Sequence, residues 1–564
     1  MVMQLFPKSI FRVFILMPVL FLFFNQCPAQ HTPAALESKV DSLLAAGGID
    51  NTTPGSAVLV IKDGAIILNK GYGLANLAHQ IPIGPNTVFD LASVSKQFAG
   101  FAVASLVDEG KVSLEDDIRK YIPELPDFDR TITIDHLLHH TSGIRDWTST
   151  LPLAGWSFDD VISFEQILGM TYLQRELNFE PGSEYSYSNT GYNLLAELVQ
   201  RVSGMSFREW TDQHIFQPLG MTSTRFLDDH TEVIPRRANG YYRAQDGQFH
   251  TSTNNLMALG SSSLFSTTTD LAKWVMNLDQ PKPEMKAIVD QMVQTSPLND
   301  GSENNYAFGL SIGAFLGTPS MSHSGSWASF RTYLTVLPEE HLSIVVLNNN
   351  SGNPSRIAGT IASWYVPAPE RSMPSKEDSK PTAVKISTGK LDALTGAYRL
   401  GPGWYVTLRR QGDQLWTQAT NERNFPMTAL SDKLFRIDAY GGRTMEFFSD
   451  ADGKITHMVY AGMECPKLEA APSPGPEQLK AYEGRYISQE LRTEYEVVKV
   501  GEKLQLRHHR HGELDLSHAW KEDFSGSRWF IGSVEFIRAA DGTVEGFLVT
   551  SGRARKQRFE RVKK

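Results

Sequence analysis

Cysteine is nearly absent from this chain: Cys27 and Cys465 are the two found in 564 residues. If the chain is exported and cut after Ala29, Cys465 alone is left. No internal disulfide can then form, and stability must come from packing. A basic excess is lacking as well. Lys and Arg number 54 against 63 Asp and Glu, a formal charge of −9, with no basic run; that argues against nucleic acid as a partner. Bias toward disorder is absent too, since 41% of residues are hydrophobic and 21% charged, as in soluble globular proteins. The length exceeds what one ordinary core organises, so two or three domains are expected.

The first 29 residues are a separate unit. Lys8 and Arg12 precede a short apolar run, Val13 to Phe24, interrupted by Pro18, and Cys27-Pro28-Ala29 ends on a small residue. The run falls short of the roughly 20 apolar residues a membrane span needs, so the segment reads as a secretory signal peptide, with a signal anchor as the alternative. Phe24-Asn25-Gln26 lacks the small residue that lipoprotein signals place before their cysteine, which argues against lipidation at Cys27. Removing the segment takes away two basic residues and no acid, moving the formal charge to −11. A secreted or periplasmic location fits these facts.

Ser93-Val94-Ser95-Lys96 is the most informative stretch of what remains. Val88, Phe89 and Leu91 read as a short buried segment before it. Phe98, Phe101, Ala102, Ala104, Leu106 and Val107 follow at helical spacing and stop at Gly110. A serine and a lysine three apart at a helix start share one face. A serine hydroxyl is a weak nucleophile until a neighbouring base takes its proton, and a lysine held there is one way of doing it. Taken alone, the tetrapeptide also suits an ordinary exposed helix start. Tyr187-Ser188-Asn189 and His323-Ser324-Gly325 follow in order along the chain, the latter leading into a strand.

This ordered set resembles the penicillin-recognising serine hydrolases: class C β-lactamases, DD-peptidases, D-aminopeptidases and related esterases. Leu137-Leu138-His139-His140-Thr141-Ser142-Gly143, Leu264-Phe265-Ser266-Thr267 and Leu337-Pro338-Glu339 extend the resemblance over about residues 35 to 365. It implies an α+β fold, the β-lactamase/transpeptidase-like α/β sandwich with an antiparallel sheet and a helical region. The local pattern agrees. Ala57–Ile61 and Ala65–Leu68 read as a hairpin around Asp63-Gly64, and residues 95–110 as helix. Strands return near 308–315, 329–336 and 342–348, before a helix from Pro354 to Trp364.

The catalytic domain is expected over 30–366, followed by a Pro/Ser/Lys/Glu-rich linker over 367–390. Beyond it the chain repeats itself. Leu394-Thr395-Gly396-Ala397-Tyr398 matches Tyr482-Glu483-Gly484-Arg485-Tyr486, and Met445-Glu446-Phe447 matches Val534-Glu535-Phe536, at an offset of 88 or 89. Short alternating segments broken by Gly-Asp and Asp-Gly turns predict up-and-down β structure. Two small lipocalin-like barrels, at 391–470 and 477–564, are the expectation. That layout resembles D-aminopeptidase, where a barrel loop reaches the catalytic cleft.

Acyl transfer needs a nucleophile, a base, an oxyanion hole and a substrate contact. Ser93 is the expected nucleophile. Lys96 can accept its proton if its own pKa is lowered, and Tyr187 is the other candidate base, since a phenol beside an ammonium ionises more easily. The two are expected to act as one coupled unit. Asn189 supplies an amide for Lys96 and for a substrate carbonyl. The resemblance places the oxyanion hole at the N–H groups of Ser93 and Ser326, after Gly325. It also makes His323 a departure, because β-lactamases and DD-peptidases carry lysine there to meet a substrate carboxylate. Histidine is mostly neutral at pH 7, so esters or D-amino-acid amides and peptides are the expected substrates. DD-peptidase or β-lactamase-like activity is the alternative. An idle scaffold working through its barrels is a reading from another class. No cofactor or metal is expected: the His136, His139 and His140 group reads as scaffold, and His508 to His511 as a solvated strand face. The partner is a small-molecule or peptide substrate, and oligomeric state stays open.

Overall fold

The computed structural model describes residues 32–366, 383–401, 404–420, 422–469 and 473–563. The expected signal segment at 1–29 and most of the expected linker, 367–382, lie outside the described residues.

Six antiparallel strands form the central sheet, in the order Ser311–Phe315, Thr318–Trp327, Phe330–Leu337, Leu342–Asn348, Ser56–Lys62 and Ala65–Tyr72. Ser56 pairs with Asn348 and Lys62 with Leu342, so the first strand of the domain closes against its last. Alternation sorts the side chains of Ser56–Lys62 onto two faces. Val58 and Val60 pack under helices Pro33–Ala46 and Pro354–Ala362, with Leu36, Val40 and Ile361. Ala57, Leu59 and Ile61 face the main core, with Phe98 and Phe101 of helix Lys96–Asp108. That helix is buried over most of its length, and Phe98 stacks on Trp274 with ring centroids 4.3 Å apart. A helix apolar on all sides belongs inside a core, and its first turn is thereby held against the sheet.

Both repeats begin alike. A short helix, Thr388–Leu394 or Pro476–Lys480, precedes the first strand. A buried tyrosine then bonds four residues back: the Tyr398 hydroxyl donates to Leu394 O at 2.8 Å, and that of Tyr486 to Tyr482 O at 2.7 Å. The second copy is a closed eight-stranded barrel from Gly484–Ser488 to Ala554–Arg561, sealed by pairing of Tyr486 with Arg561. The first copy is split. Four strands from Gly396 to Pro426 and five from Thr428 to Pro466 form two sheets, joined by a bridge from Tyr398 to Lys467 and sharing one core. The break between the sheets falls after Pro426, which has no N–H to continue a ladder.

The second barrel is docked on the domain that holds the central sheet. Leu153, at the end of helix Trp147–Leu153, is a member of the barrel's own core, and the Tyr495 hydroxyl donates to its carbonyl at 3.0 Å. Arg145 and Glu490 form a buried pair at 2.8 Å, and Gln557 also donates to Glu490. Such a pair adds little net stability, but removing one partner costs roughly 3–5 kcal/mol, so it fixes the docking register. The expected solvated face at His508 to His511 does not hold for His508 and His511. His508 is buried near Gly155, and His511 bonds to the Pro152 carbonyl. Both belong to this interface. Among the described residues, no helix is long and apolar enough to cross a membrane.

Candidate active site

Strand Phe89–Asp90 pairs with Leu264–Ser266 and leads into the turn bearing Ser93. The Asp90 carboxylate accepts the Ala92 N–H at 2.7 Å. Ala92 itself sits at φ 47, a left-handed conformation that residues with a Cβ rarely adopt. Residues 92–95 form a 3-10 turn, and the α-helix begins at Lys96. Side chains at i and i+3 eclipse in a 3-10 turn, so Ser93 and Lys96 meet more directly than an α-helical start would bring them. Ser93 is partly exposed while its neighbours Ala92, Val94 and Ser95 are buried.

Lys96 has no exposed surface. Its Nζ lies 2.7 Å from Asn189 Oδ1, 2.8 Å from the Ser261 carbonyl and 3.2 Å from Ser93 Oγ. The first two partners only accept, so they take N–H groups from the amine. Burial holds the Lys96 pKa well below its ordinary value; Asp146 opposes that shift and Arg553 reinforces it. A neutral amine has two N–H groups and one lone pair. With both N–H groups used, the lone pair is left for Ser93, whose hydroxyl can donate to it.

Tyr187 completes this group. Lys96 Nζ stands 4.7 Å from the centre of its ring, and the phenol hydrogen-bonds Ser93. Burial pushes the phenol up, outweighing Ser93 and the nearby Arg553 guanidinium. The expectation that a neighbouring ammonium would ease its ionisation is therefore reversed. With Lys96 stripped of water and biased toward the amine, the phenol keeps its proton.

Asn189 starts helix Asn189–Ser203, whose N-cap Ser188 accepts the Gly191 N–H. Its amide spans two groups: Oδ1 accepts from Lys96, and Nδ2 donates to Asp146 at 2.9 Å. Asp146 is fully buried and also accepts from the Asn189 backbone N–H at 2.9 Å. Sequence reasoning missed it. It follows the Thr141-Ser142-Gly143 segment and caps helix Trp147–Leu153; an aspartate before a helix signals a cap, but not contact with a residue 43 positions on.

His323, Gly325 and Ser326 lie on strand Thr318–Trp327, so the third motif is inside a strand rather than ahead of one. His323 Nδ1 is 2.7 Å from the Ser324 carbonyl and must donate to it; Nε2, at 2.8 Å, then accepts from the Tyr306 hydroxyl. Burial, with Lys96 as a secondary cause, pushes its pKa down to about 3. Both ring nitrogens are occupied and the ring is neutral across the working pH range. His323→Lys is expected to raise kcat/KM for nitrocefin, which carries a carboxylate, by about tenfold relative to p-nitrophenyl acetate, as one charged hydrogen bond would. An unchanged ratio in a folded mutant would show that the preference is set elsewhere in the cleft.

Ser93, Tyr187, Asn189, His323 and Ser326 line one cavity of about 620 Å³, with Lys96 beneath Ser93. Its far wall comes from the second barrel: Trp529 and Arg553. Arg553 belongs to the two-residue turn between strands Val544–Ser551 and Ala554–Arg561. The three histidines of the segment from His136 to His140 have structural partners. His136 closes a capping box with Thr133, His139 pairs with Asp135, and His140 accepts the Ser188 N–H.

The fold and this arrangement are those of the β-lactamase/transpeptidase-like family. Residues 40–366 match the Beta-lactamase family model, and the chain belongs to that family. It is 28% identical over 331 residues to a D-aminopeptidase of Gluconobacter oxydans, covering 59% of this chain and 62% of that protein. It is 26% identical over 430 residues to penicillin-binding protein 4* of Bacillus subtilis, covering 72% of this chain and 92% of that protein. The match to the D-aminopeptidase thus spans about three fifths of that relative's length. Among solved structures, the octameric penicillin-binding protein homologue from Pyrococcus abyssi superposes with a TM-score of 0.54 at 23% identity, covering 85% of this chain and 98% of that one.

Proposed function

We propose that this protein is an exported serine hydrolase that forms an acyl-enzyme on Ser93 and releases it to water, acting on small esters or on amides and peptides of D-amino acids. Its catalytic domain is 30–366, with β units at 391–470 and 477–564. The observation that carries the reading is the bonding of Lys96: two acceptors consume its N–H groups and leave the lone pair to Ser93.

Lys96 takes the Ser93 proton as Oγ attacks the substrate carbonyl carbon. The N–H groups of Ser93 and Ser326 hold the oxyanion. Tyr187, still protonated and bonded to Ser93, passes a proton to the leaving oxygen or nitrogen and is resupplied by Lys96. Water then attacks the ester on Ser93 by the same route reversed. Neutral His323 favours substrates with no carboxylate at the third motif, and the D-aminopeptidase similarity favours amides of D-amino acids.

A fluorophosphonate probe is expected to label the wild type and not Ser93→Ala. No labelling of either well-folded protein would support the idle scaffold. A panel of p-nitrophenyl esters, D- and L-amino acid p-nitroanilides and nitrocefin, at equal enzyme concentration, then ranks the substrate classes. Nitrocefin turning over best would favour the β-lactamase-like alternative.

A further inference from the structure

The cleft contains a buried carboxylate that acyl transfer does not call for. Asp146 is fully buried and is one side chain removed from the base, because the Asn189 amide donates to Asp146 and accepts from Lys96. A buried negative charge there stabilises an ammonium and so opposes the free amine that the mechanism needs. The opposing charge comes from the other end of the chain. Arg553 Nη1 lies 3.1 Å from Asp146 Oδ2, and its guanidinium stands 4.7 Å from the centre of the Tyr187 ring.

The backbone shows that this placement is built. The Asp146 N–H donates to the Arg553 carbonyl at 3.2 Å, as does Asn178 Nδ2 at 2.8 Å. The Arg553 N–H donates to Ser149 Oγ at 3.1 Å. Asp146 caps the helix whose far end, Leu153, sits in the barrel core. One helix therefore carries both the carboxylate and the anchor of the domain that neutralises it.

Other groups facing Lys96 cannot do this. His323, on the sheet, is held to about 3, and His140, after helix Ile134–Leu138, is pushed well below its ordinary value by burial. Tyr187, Tyr192 and Tyr306 are all pushed up by burial. Ser93 and Asn189 carry no charge. Asp146 and Arg553 are thus the charged neighbours that act on Lys96.

We infer that Arg553, delivered by the hairpin turn of the second barrel, is a positioning residue of the acyl-transfer site: it balances the buried Asp146 carboxylate so that Lys96 stays an uncharged amine able to take the Ser93 proton. This rests on Lys96 being the base. The second barrel then tunes the chemistry itself, besides walling the cleft.

The test is the pH dependence of kcat/KM for a neutral p-nitrophenyl ester in the full chain. Rate falls on the acid side as Lys96 becomes protonated. Arg553→Gln and Arg553→Ala are expected to move that midpoint up by roughly one pH unit or more. Arg553→Lys, which keeps the charge, should hold the wild-type midpoint. Asp146→Asn combined with Arg553→Gln should bring the midpoint back to or below it. Unmoved midpoints in both charge-removing variants, or a raised midpoint persisting in the double variant, would overturn the inference. If Asp146→Asn prevents folding, the comparison of Gln and Ala with Lys at 553 decides alone. Lys96→Ala separates the two levels: activity surviving it refutes the base assignment, whereas an inactive Lys96→Ala beside an unmoved Arg553→Gln midpoint refutes this inference only.

Discussion

Lys96→Ala is expected to slow acylation of Ser93 by roughly a thousandfold or more, within the range set by removing a positioned general base. The substitution deletes the one group that is buried against Ser93 Oγ and biased by that burial toward an uncharged amine. It also strands Asn189 Oδ1 and the Ser261 carbonyl without their donor. Thermal unfolding must therefore be measured beside activity, to show that the loss is chemical. Tyr187→Phe should lose less, roughly a hundredfold, because a phenol held protonated relays the proton and does not initiate its removal. The double mutant should fall well short of the product of the two losses, as expected for residues of one proton-transfer unit. Full additivity in pre-steady-state acylation would mean that the two act independently, and the relay through Tyr187 would be wrong.

Gly325→Ala should be nearly as damaging, for a steric reason. A Cβ at this position would lie 2.2 Å from the Leu91 carbonyl oxygen, 2.2 Å from Thr332 Oγ1 and 3.2 Å from Ala92 Cβ. Thr332 cannot rotate away freely, because its hydroxyl donates to that same Leu91 carbonyl at 2.8 Å. Leu91 is backbone on the approach to Ser93, so the strand and the nucleophile turn must separate. Overpacking of this kind costs roughly 1–3 kcal/mol. The larger consequence is geometric: Ser326, the next residue, moves off Ser93, and a misplacement of about 1 Å can cost about a hundredfold in rate. We expect a loss of that size in kcat with a lowered Tm. Gly313→Ala is the control: it lies on the edge strand of the same sheet, with open space around the added methyl, and should leave both nearly unchanged. Wild-type kcat in Gly325→Ala would mean that the oxyanion site does not depend on this contact.

Where sequence reading succeeded, it relied on interactions between near neighbours. The hairpin through Asp63-Gly64, the helix after Ser93 and the strand Leu342–Asn348 are encoded by turn residues and by apolar spacing, which act over a few positions. The two C-terminal units were legible because a repeat shows itself as self-similarity, down to Gly396-Ala397-Tyr398 against Gly484-Arg485-Tyr486. The motif strand Thr318–Trp327 failed that test. Its Thr-Pro-Ser-Met-Ser-His-Ser-Gly-Ser-Trp sequence has little β propensity, and it is a strand because Phe330–Leu337 supplies its partner in register.

The residues of the site divide in the same way. Ser93 and Lys96 are three apart, so one local turn brings them together, and the sequence by itself determined that pairing. Asn189 and His323 were legible through the ordered motifs. Asp146 and Arg553 carry no comparable local signal, since their charges meet only when the hairpin turn of the second barrel lands beside the N-cap of helix Trp147–Leu153. Whether Tyr187 ionises, whether His323 is charged and how far Lys96 is depressed depend on burial and on neighbours distant in the chain. The sequence by itself determined which chemical groups are present and which local turns they occupy. Tertiary structure alone decided their protonation, because desolvation and Coulomb interactions depend on distance in space and not on separation along the chain.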